Sequence, residues 1–191
     1  MSDLNDAKGD RQHSLFRDWL NATGLLLVSE SKPLSNNEIK CHDGTKLSVA
    51  VSMLSEKPLT HGRSQALIAR AAAIEVEITE VDSETTTLFI DNDEVEDIKL
   101  AIMYYLNEAG NESDDVFDSV EGFITTKDGL ALGFRAVEEG KTCQFFIRSK
   151  STRTPHEFPR EHLKMLLQAI LKGAAVLESV FPDTEESDLN F

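Results

Sequence analysis

Cys41 and His42 are neighbours whose residue types suit nucleophilic catalysis, in which an imidazole activates a thiolate. A strand is expected here, and adjacent side chains of a strand point to opposite faces. The ring therefore cannot hydrogen-bond to the sulfur without a bulge. The sequence predicts a buried structural cysteine at position 41 rather than a reactive pair.

A second pattern has the residue types of a metal site. His156 and His162 enclose Glu157 and Glu161, but Pro159 is expected to start a helix between the two histidines. The histidines therefore do not share the i, i+4 helical face that zinc-binding pairs use. We expect surface residues beside a helix start, with no metal and no cofactor.

The acidic residues at 91–96 superficially resemble the start of a calcium loop. The sixth position of such a loop requires glycine and is Glu96 here, and the twelfth requires glutamate and is Ile102. Carboxylates at a helix N-terminus are stabilised by the backbone dipole. Asp91 or Asp93 is therefore predicted to cap a helix that ends near Gly110.

Motifs for phosphate binding and acyl transfer are absent from the sequence. It has neither a glycine-rich phosphate loop nor the G-x-S-x-G turn of serine hydrolases. Segment 61–64 precedes a predicted helix and could offer N–H groups to an anion, but Ser64 is better explained as an N-cap. The pattern favours a non-catalytic binding protein over an enzyme.

The apolar spacing predicts the elements of the first half of the chain. The period-two pattern at 74–81 predicts that Ile74, Val76, Ile78 and Val81 face inward, with the intervening glutamates mostly in water. The expected elements are a helix at 13–23, a buried strand at 25–28, a hairpin of 38–42 and 46–53 around Asp43-Gly44, a helix in the Ala-rich 63–73, strands at 74–81 and 85–90, and the capped helix.

The second half predicts a similar order. Strands at 120–126 and 130–137 enclose Asp128-Gly129, a strand at 142–149 follows, and the last helix runs from Pro159 to about Val180. The predicted buried stripe of this helix is Leu163, Leu166, Leu167, Ile170, Leu171 and Ala174.

The two halves can be superposed in sequence. A shift of 68 residues places Val95 and Ile98 on Leu163 and Leu166, and the two Asp-Gly turns lie 85 residues apart. We therefore predict an α+β fold of antiparallel sheets with packed helices, in two pseudo-repeated sheet-then-helix halves. The halves are 13–112 and 113–182, between flexible ends at 1–12 and 183–191.

The layout at 120–178, and less clearly at 46–110, resembles the Whirly, Pur-alpha and related folds that bind single-stranded nucleic acid. In size, acidity and mixture of elements, the chain is also similar to acidic chaperones of type III secretion effectors. No diagnostic motif of these families is present in the sequence.

Composition predicts the compartment. No apolar run approaches the roughly 20 residues of a membrane span, and the first residues lack the pattern of a secretory signal. Only two cysteines occur in 191 residues, which fits a reducing compartment. We expect a cytoplasmic protein that does not enter a membrane.

Charge is distributed unevenly around a net value of −15. Residues 74–140 contain nineteen acidic and three basic side chains, whereas 141–164 contains six basic and two acidic ones. The first segment predicts a surface for a basic partner, and the second predicts a surface for an acidic one. Differences between solvated faces that serve only solubility would produce the same pattern.

Two binding hypotheses follow from this charge distribution. In the first, an adaptor, chaperone, antitoxin, inhibitor or nucleic-acid mimic binds a basic protein through Glu75, Glu77, Glu80, Asp93, Glu94, Glu96 and Asp97. In the alternative, the protein binds single-stranded nucleic acid through Lys141, Arg148, Lys150, Arg153, Arg160 and Lys164.

The paired phenylalanines and the strand edges add two expectations. Phe145 and Phe146 alternate in direction, so at most one of them could stack on a base. A homodimer through exposed strands at 120–126 or 143–148 is a further expectation.

Overall fold

The computed structural model describes residues 14–22, 27–34, 39–57, 68–81, 85–107, 119–137, 142–150 and 154–180. Within them the helices are α1 (Leu15–Leu20), α2 (Val95–Asn107) and α3 (Arg160–Val180), with a 3-10 turn at Asn92–Glu94 before α2. The strands are β1 (Leu27–Pro33), β2 (Ile39–Lys40), β3 (Lys46–Glu56), β4 (Ile68–Thr79), β5 (Thr85–Asp91), β6 (Ser119–Thr125), β7 (Leu130–Val137), β8 (Thr142–Ser149) and β9 (His156–Phe158).

The strands form two antiparallel sheets. The first has the order β1-β3-β4-β5, with β2 also paired to β3, and the second has the order β6-β7-β8-β9. The prediction of an α+β fold with antiparallel sheets and packed helices is confirmed. None of the helices in the described residues is long and apolar enough to cross a membrane.

One hydrophobic core joins both sheets. The period-two pattern of β4 turns Ile74, Val76 and Ile78 inward, and β7 contributes Leu132 and Phe134 in the same way. The buried stripes of α2 and α3 cover these faces and pack on each other. A smaller cluster lies on the opposite face of the first sheet.

Helix α1 covers that opposite face. Its Phe16 is buried against Phe89 of β5, with ring centroids 4.5 Å apart, and Trp19 packs beside it. The apolar side chains Phe16 and Trp19 of this helix are therefore part of a core, although Leu20 is exposed. Helix α1 therefore lies next to β5, an edge strand of the first sheet.

The Ala-rich segment is a strand, not the helix that its composition predicted. Residues 68–73 form the first half of β4 and pair with β3, and 63–67, with Ser64, lie outside the described residues. Ala71 and Ala73 are buried in the cluster beneath α1, where larger side chains would hold the helix off the sheet. Pairing and packing override the helical propensity of alanine here.

Other elements differ from their predicted placement. Val81 is exposed because β4 ends at Thr79 and the period of two points Glu80, not Val81, in the direction of Ile78. Leu171 is exposed on α3, and β9 was not predicted. A buried strand was predicted at 25–28. Its described residues, 27 and 28, belong to β1, which is a mostly exposed edge strand.

Both Asp-Gly turns have the predicted backbone. Gly44 has φ +89° and Gly129 has φ +91°, the left-handed region that side chains with a Cβ disfavour. These turns connect β2 to β3 and β6 to β7. The pseudo-repeat of the halves stays a prediction.

Replacing Leu166 by Ala should lower the free energy of unfolding by about 2–5 kcal/mol, because truncating a buried leucine leaves a cavity. The same change at exposed Leu171 should cost less than about 0.5 kcal/mol. Urea unfolding measures both values. Equal losses for the two variants would show that the wrong face of α3 has been assigned to the core.

Candidate functional site

The outer edge of β5 is closed by an ion pair. The amide of Phe89 donates to Asp128 Oδ2 at 2.9 Å, and Arg17 Nη2 donates to the Thr87 carbonyl at 2.8 Å. Arg17 and Asp128 contact each other through Nη2–Oδ2 at 2.8 Å and Nε–Oδ1 at 3.1 Å. The hydrogen bond to Asp128 raises the pKa of Arg17. The pair occupies two groups that an added strand would need.

Asp91 at the end of β5 holds the start of α1. Its carboxylate accepts the amides of Leu15 at 2.5 Å and Phe16 at 3.3 Å, and the Ser14 hydroxyl at 3.0 Å. Burial raises the pKa of Asp91, and these hydrogen bonds oppose the rise. An N-terminal helix that lacks a long hydrophobic stripe is thereby fixed to the sheet.

The residues at 91–96 that were compared with a calcium loop lie at the start of a helix, as predicted, where Asp91 and Glu94 form a capping box. Glu94 accepts the amides of Asp91 at 3.2 Å and Lys127 at 2.6 Å, and Asp93 pairs with Lys127 Nζ at 2.5 Å. Burial raises the pKa of Glu94. Oxygens of Asp91, Asp93 and Glu94 lie within 4.8 Å of one another, but N–H and O–H donors of the protein already bind them.

The Asp43-Gly44 turn lies against β9 of the other half. The His42 amide donates to the Glu157 carbonyl at 2.7 Å, and His156 Nδ1 lies 2.8 Å from Asp43 Oδ2. Burial alone would raise the pKa of Asp43, but hydrogen bonds with His156 and Thr45 lower it below its ordinary value. The two halves are therefore joined at both Asp-Gly turns.

His156 is buried, which corrects its prediction as a surface residue. Glu80 Oε1 lies 3.2 Å from its Nε2, but not in hydrogen-bonding geometry, and Nε2 has no hydrogen bond within the described residues. His162, on α3, instead donates from Nδ1 to the Lys40 carbonyl at 2.6 Å. The two histidines thus contact different groups, as their separation by Pro159 predicted.

Cys41 and His42 also separate as predicted. Cys41 is buried, whereas His42 is exposed. Burial, with a smaller effect of nearby Asp43, raises the pKa of the Cys41 thiol to about 12. A thiol with this pKa is not a nucleophile at neutral pH.

The predicted acidic residues do not form one surface. Glu75 and Glu77 lie on the outer face of the first sheet and accept the hydroxyls of Ser52 and Ser48. Glu80 approaches His156 instead. The remaining four lie at the start of α2, where Asp93 and Glu94 contact Lys127 and Glu96 pairs with Lys99. Asp97 is exposed and has no ion pair with another described residue.

The predicted basic residues are also dispersed. Arg148 and Lys150 lie near each other at the end of β8, whereas Arg160 donates to the Leu106 carbonyl and Lys164 is exposed on α3. Lys141 and Arg153 lie outside the described residues. Neither of the paired phenylalanines is free to stack on a base, because Phe145 and Phe146 are 4% and 2% exposed.

The edges of the two sheets differ in their protection. β1 is an edge with charged side chains and Pro33, features that discourage pairing. β5 is closed by Arg17 and Asp128. β9 has three residues, lies between Pro155 and Pro159, and uses its Glu157 carbonyl to bind His42.

β6 is the edge that lacks such devices among the described residues. Its Glu121 is neutralised by Arg135 of β7, with Oε2 and Nη2 2.8 Å apart. No strand pairs with its free side within the described part of the chain. By contrast, β8 is interior between β7 and β9, which corrects the prediction of an open edge at 143–148.

An apolar groove runs between β6 and α2. Its volume is about 480 Å³, and its lining includes Leu100, Ala101, Tyr104, Phe123 and Phe134. Leu100 is 53% exposed and Phe123 is 54% exposed. The Tyr104 and Phe134 rings lie 6.2 Å apart. Sequence analysis did not identify this site, although Leu100 lies outside the buried stripe of its helix.

No protein-family model matches this chain, and no curated protein has significant sequence similarity to it.

Cys41 should resist alkylation by iodoacetamide in the folded protein at about pH 8, because the thiol stays protonated and buried. It should react in urea, and His42→Ala should leave its native rate unchanged. Mass spectrometry of the labelled peptides follows both reactions. Native labelling at the unfolded rate, or labelling slowed by His42→Ala, would contradict the structural role of this cysteine.

Proposed function

We propose that the protein is a non-catalytic, cytoplasmic protein-interaction module that binds an extended basic segment of a partner along β6. The observation that carries this proposal is an unprotected strand edge next to an apolar groove, with Leu100 and Phe123 about half exposed. Strand addition is one of the recurring modes of peptide recognition, and a module of this kind would serve as an adaptor, chaperone, antitoxin or inhibitor.

Strand addition accounts for the features of this edge. An extended peptide can pair with the free N–H and C=O groups of β6, and every second side chain would then point to the groove. The groove volume of about 480 Å³ holds apolar side chains of such a peptide. Main-chain pairing supplies affinity, and the groove supplies specificity.

Charge supports a basic segment as the occupant. Glu96 and Asp97 precede Leu100 by four and three residues on α2, so their carboxylates lie one turn from the groove. Asp97 makes no ion pair with a described residue, and the whole chain has a net charge of −15. Lysine or arginine next to apolar anchors would complement this surface.

A second copy of the chain fits this edge less well. Pairing β6 with its copy would bring together two chains that each have a net charge of −15. Like charges at an interface oppose association. The proposal therefore favours a different, basic protein over a homodimer.

The acidic site proposed here is smaller than the surface predicted from sequence. Glu75, Glu77, Glu80, Asp93, Glu94 and Glu96 already have partners within the protein, so recognition is assigned to Asp97 beside the groove. A nucleic-acid mimic needs a regular row of free carboxylates, and most of the predicted ones are already paired. This form of the proposal therefore has less support.

The alternative of single-stranded nucleic-acid binding has less support. A strand-binding surface needs a continuous basic groove with free aromatic faces. Arg148 and Lys150 lie apart from Arg160 and Lys164, and both Phe145 and Phe146 are buried.

The proposal is tested by selecting displayed peptides of about ten residues, enough to pair with the seven residues of β6. Enriched peptides should alternate apolar residues with lysine or arginine, and added salt should weaken their binding. Leu100→Ser and Asp97→Lys should each reduce affinity at least about fivefold, since each removes about 1 kcal/mol or more.

Matched controls lie on α3, away from the groove. Leu171→Ser removes another exposed leucine, and Glu178→Lys reverses another exposed carboxylate, so both should bind as the wild type does. Enriched peptides without basic residues, or equal losses in the controls, would overturn the proposal.

A further inference from the structure

A recess on the second sheet is basic although the protein is acidic. It has a volume of about 370 Å³, lies beside the Asp128-Gly129 turn, and is lined by Thr125, Thr126, Lys127, Arg148, Ser149 and Lys150, with Gly129 and Ala131. Among these described lining residues none is acidic. The volume lies within the range of small-molecule sites.

Two of its cations have no carboxylate partner within the described residues. Lys127 pairs with Asp93, but the structure shows no such pair for Arg148 or Lys150. The nearby carboxylate of Asp128 already binds Arg17 and the Phe89 amide. The recess therefore has two positive charges to offer a ligand.

The Arg148 guanidinium lies over two phenylalanine rings. Its central carbon lies 4.7 Å from the ring centroid of Phe123 and 5.5 Å from that of Phe146. An arginine in cation–π contact can still donate its N–H groups to an oxyanion. The aromatic contacts thus hold a planar donor at the recess.

The turn supplies a rigid border with hydroxyl donors. Thr126 Oγ1 accepts the Leu130 amide at 3.1 Å, so its own proton can be donated elsewhere. The Lys150 amide donates to the Gly129 carbonyl at 2.8 Å, which fixes the end of β8 to the turn. Donors held in advance lose little freedom when a ligand binds.

We infer that this recess binds the phosphate group of a small phosphorylated ligand. A phosphate monoester has a charge of about −1.5 to −2 at pH 7, which matches Arg148 and Lys150, and its oxygens accept from a planar guanidinium. A long nucleic acid fits less well, because the other described basic residues of the predicted surface lie on different faces. The recess shares Phe123 and Thr125 of β6 with the peptide site, but the inference concerns a different ligand and does not rest on peptide binding.

The test is an NMR titration of the full chain with inorganic phosphate at constant ionic strength. The amides of Gly129, Ser149 and Lys150 should shift and saturate, and chloride at the same ionic strength should not reproduce this. Arg148→Gln and Lys150→Gln should each weaken binding at least about tenfold, the usual size of a lost charge-assisted hydrogen bond. Lys172→Gln, an equal charge change on α3, should have no effect.

Arg148→Lys keeps the charge but loses the planar donor pair, so it should bind more weakly than the wild type and more tightly than Arg148→Gln. Urea unfolding establishes that each variant is folded. A nucleoside monophosphate that binds more tightly than phosphate, with the gain lost in Phe123→Ser, would identify a nucleotide as the source of the phosphate.

Three results would overturn the inference. The first is no saturation by about 10 mM phosphate, which corresponds to negligible affinity. The second is equal binding by Arg148→Gln and Lys172→Gln. The third is binding of single-stranded oligonucleotides that strengthens with their length and exceeds that of phosphate, which would assign the surface to nucleic acid instead.

Discussion

The Asp128 carboxylate stands where three parts of the molecule meet. It accepts the Phe89 amide at the edge of β5, pairs with Arg17 of α1, and belongs to the β6-β7 turn of the second sheet. The backbone groups of a sheet edge need either water or a partner. Because Asp128 of the second sheet binds the edge of β5, no further strand can pair there. The same carboxylate also attaches α1 and the second sheet to the first sheet.

The contact at the other Asp-Gly turn also satisfies backbone groups of one sheet with groups of the other. The Asp43-Gly44 turn of the first sheet binds β9, through the His42 amide and through Asp43 with His156. Each Asp-Gly turn thus contacts the strand that precedes the helix of the other half. A duplicated unit would produce this reciprocity, and the duplication itself stays a prediction. Whereas β5 and β9 are bonded in this way, no described strand pairs with the free side of β6.

Local patterns predicted the fold class and most elements of the second half. Apolar spacing located α2, α3 and the central strands, and the Asp-Gly pairs located two turns that require a positive φ. The Ala-rich segment was misassigned because the contacts that decide its structure, Ala71 and Ala73 beneath α1, are distant in sequence. β9 was missed because three residues are too few to show a period.

The candidate sites could be predicted only in part. Charge counts located acidic and basic segments, but they could not show that Asp93 pairs with Lys127 or that His156 is buried. The groove and the basic recess depend on which strand is an edge and on where Phe123 meets Arg148, and both are properties of the tertiary fold.

Hydrogen exchange of backbone amides in the free protein tests most directly whether β6 is an open edge while β5 is closed. The account predicts slow exchange at Phe89, whose amide is bound by Asp128, and fast exchange at those amides of Ser119–Thr125 that do not bond to β7. The fast amides should become protected when a basic peptide binds. Slow exchange at all β6 amides in the free protein would contradict the account, because it would mean that this edge is already covered.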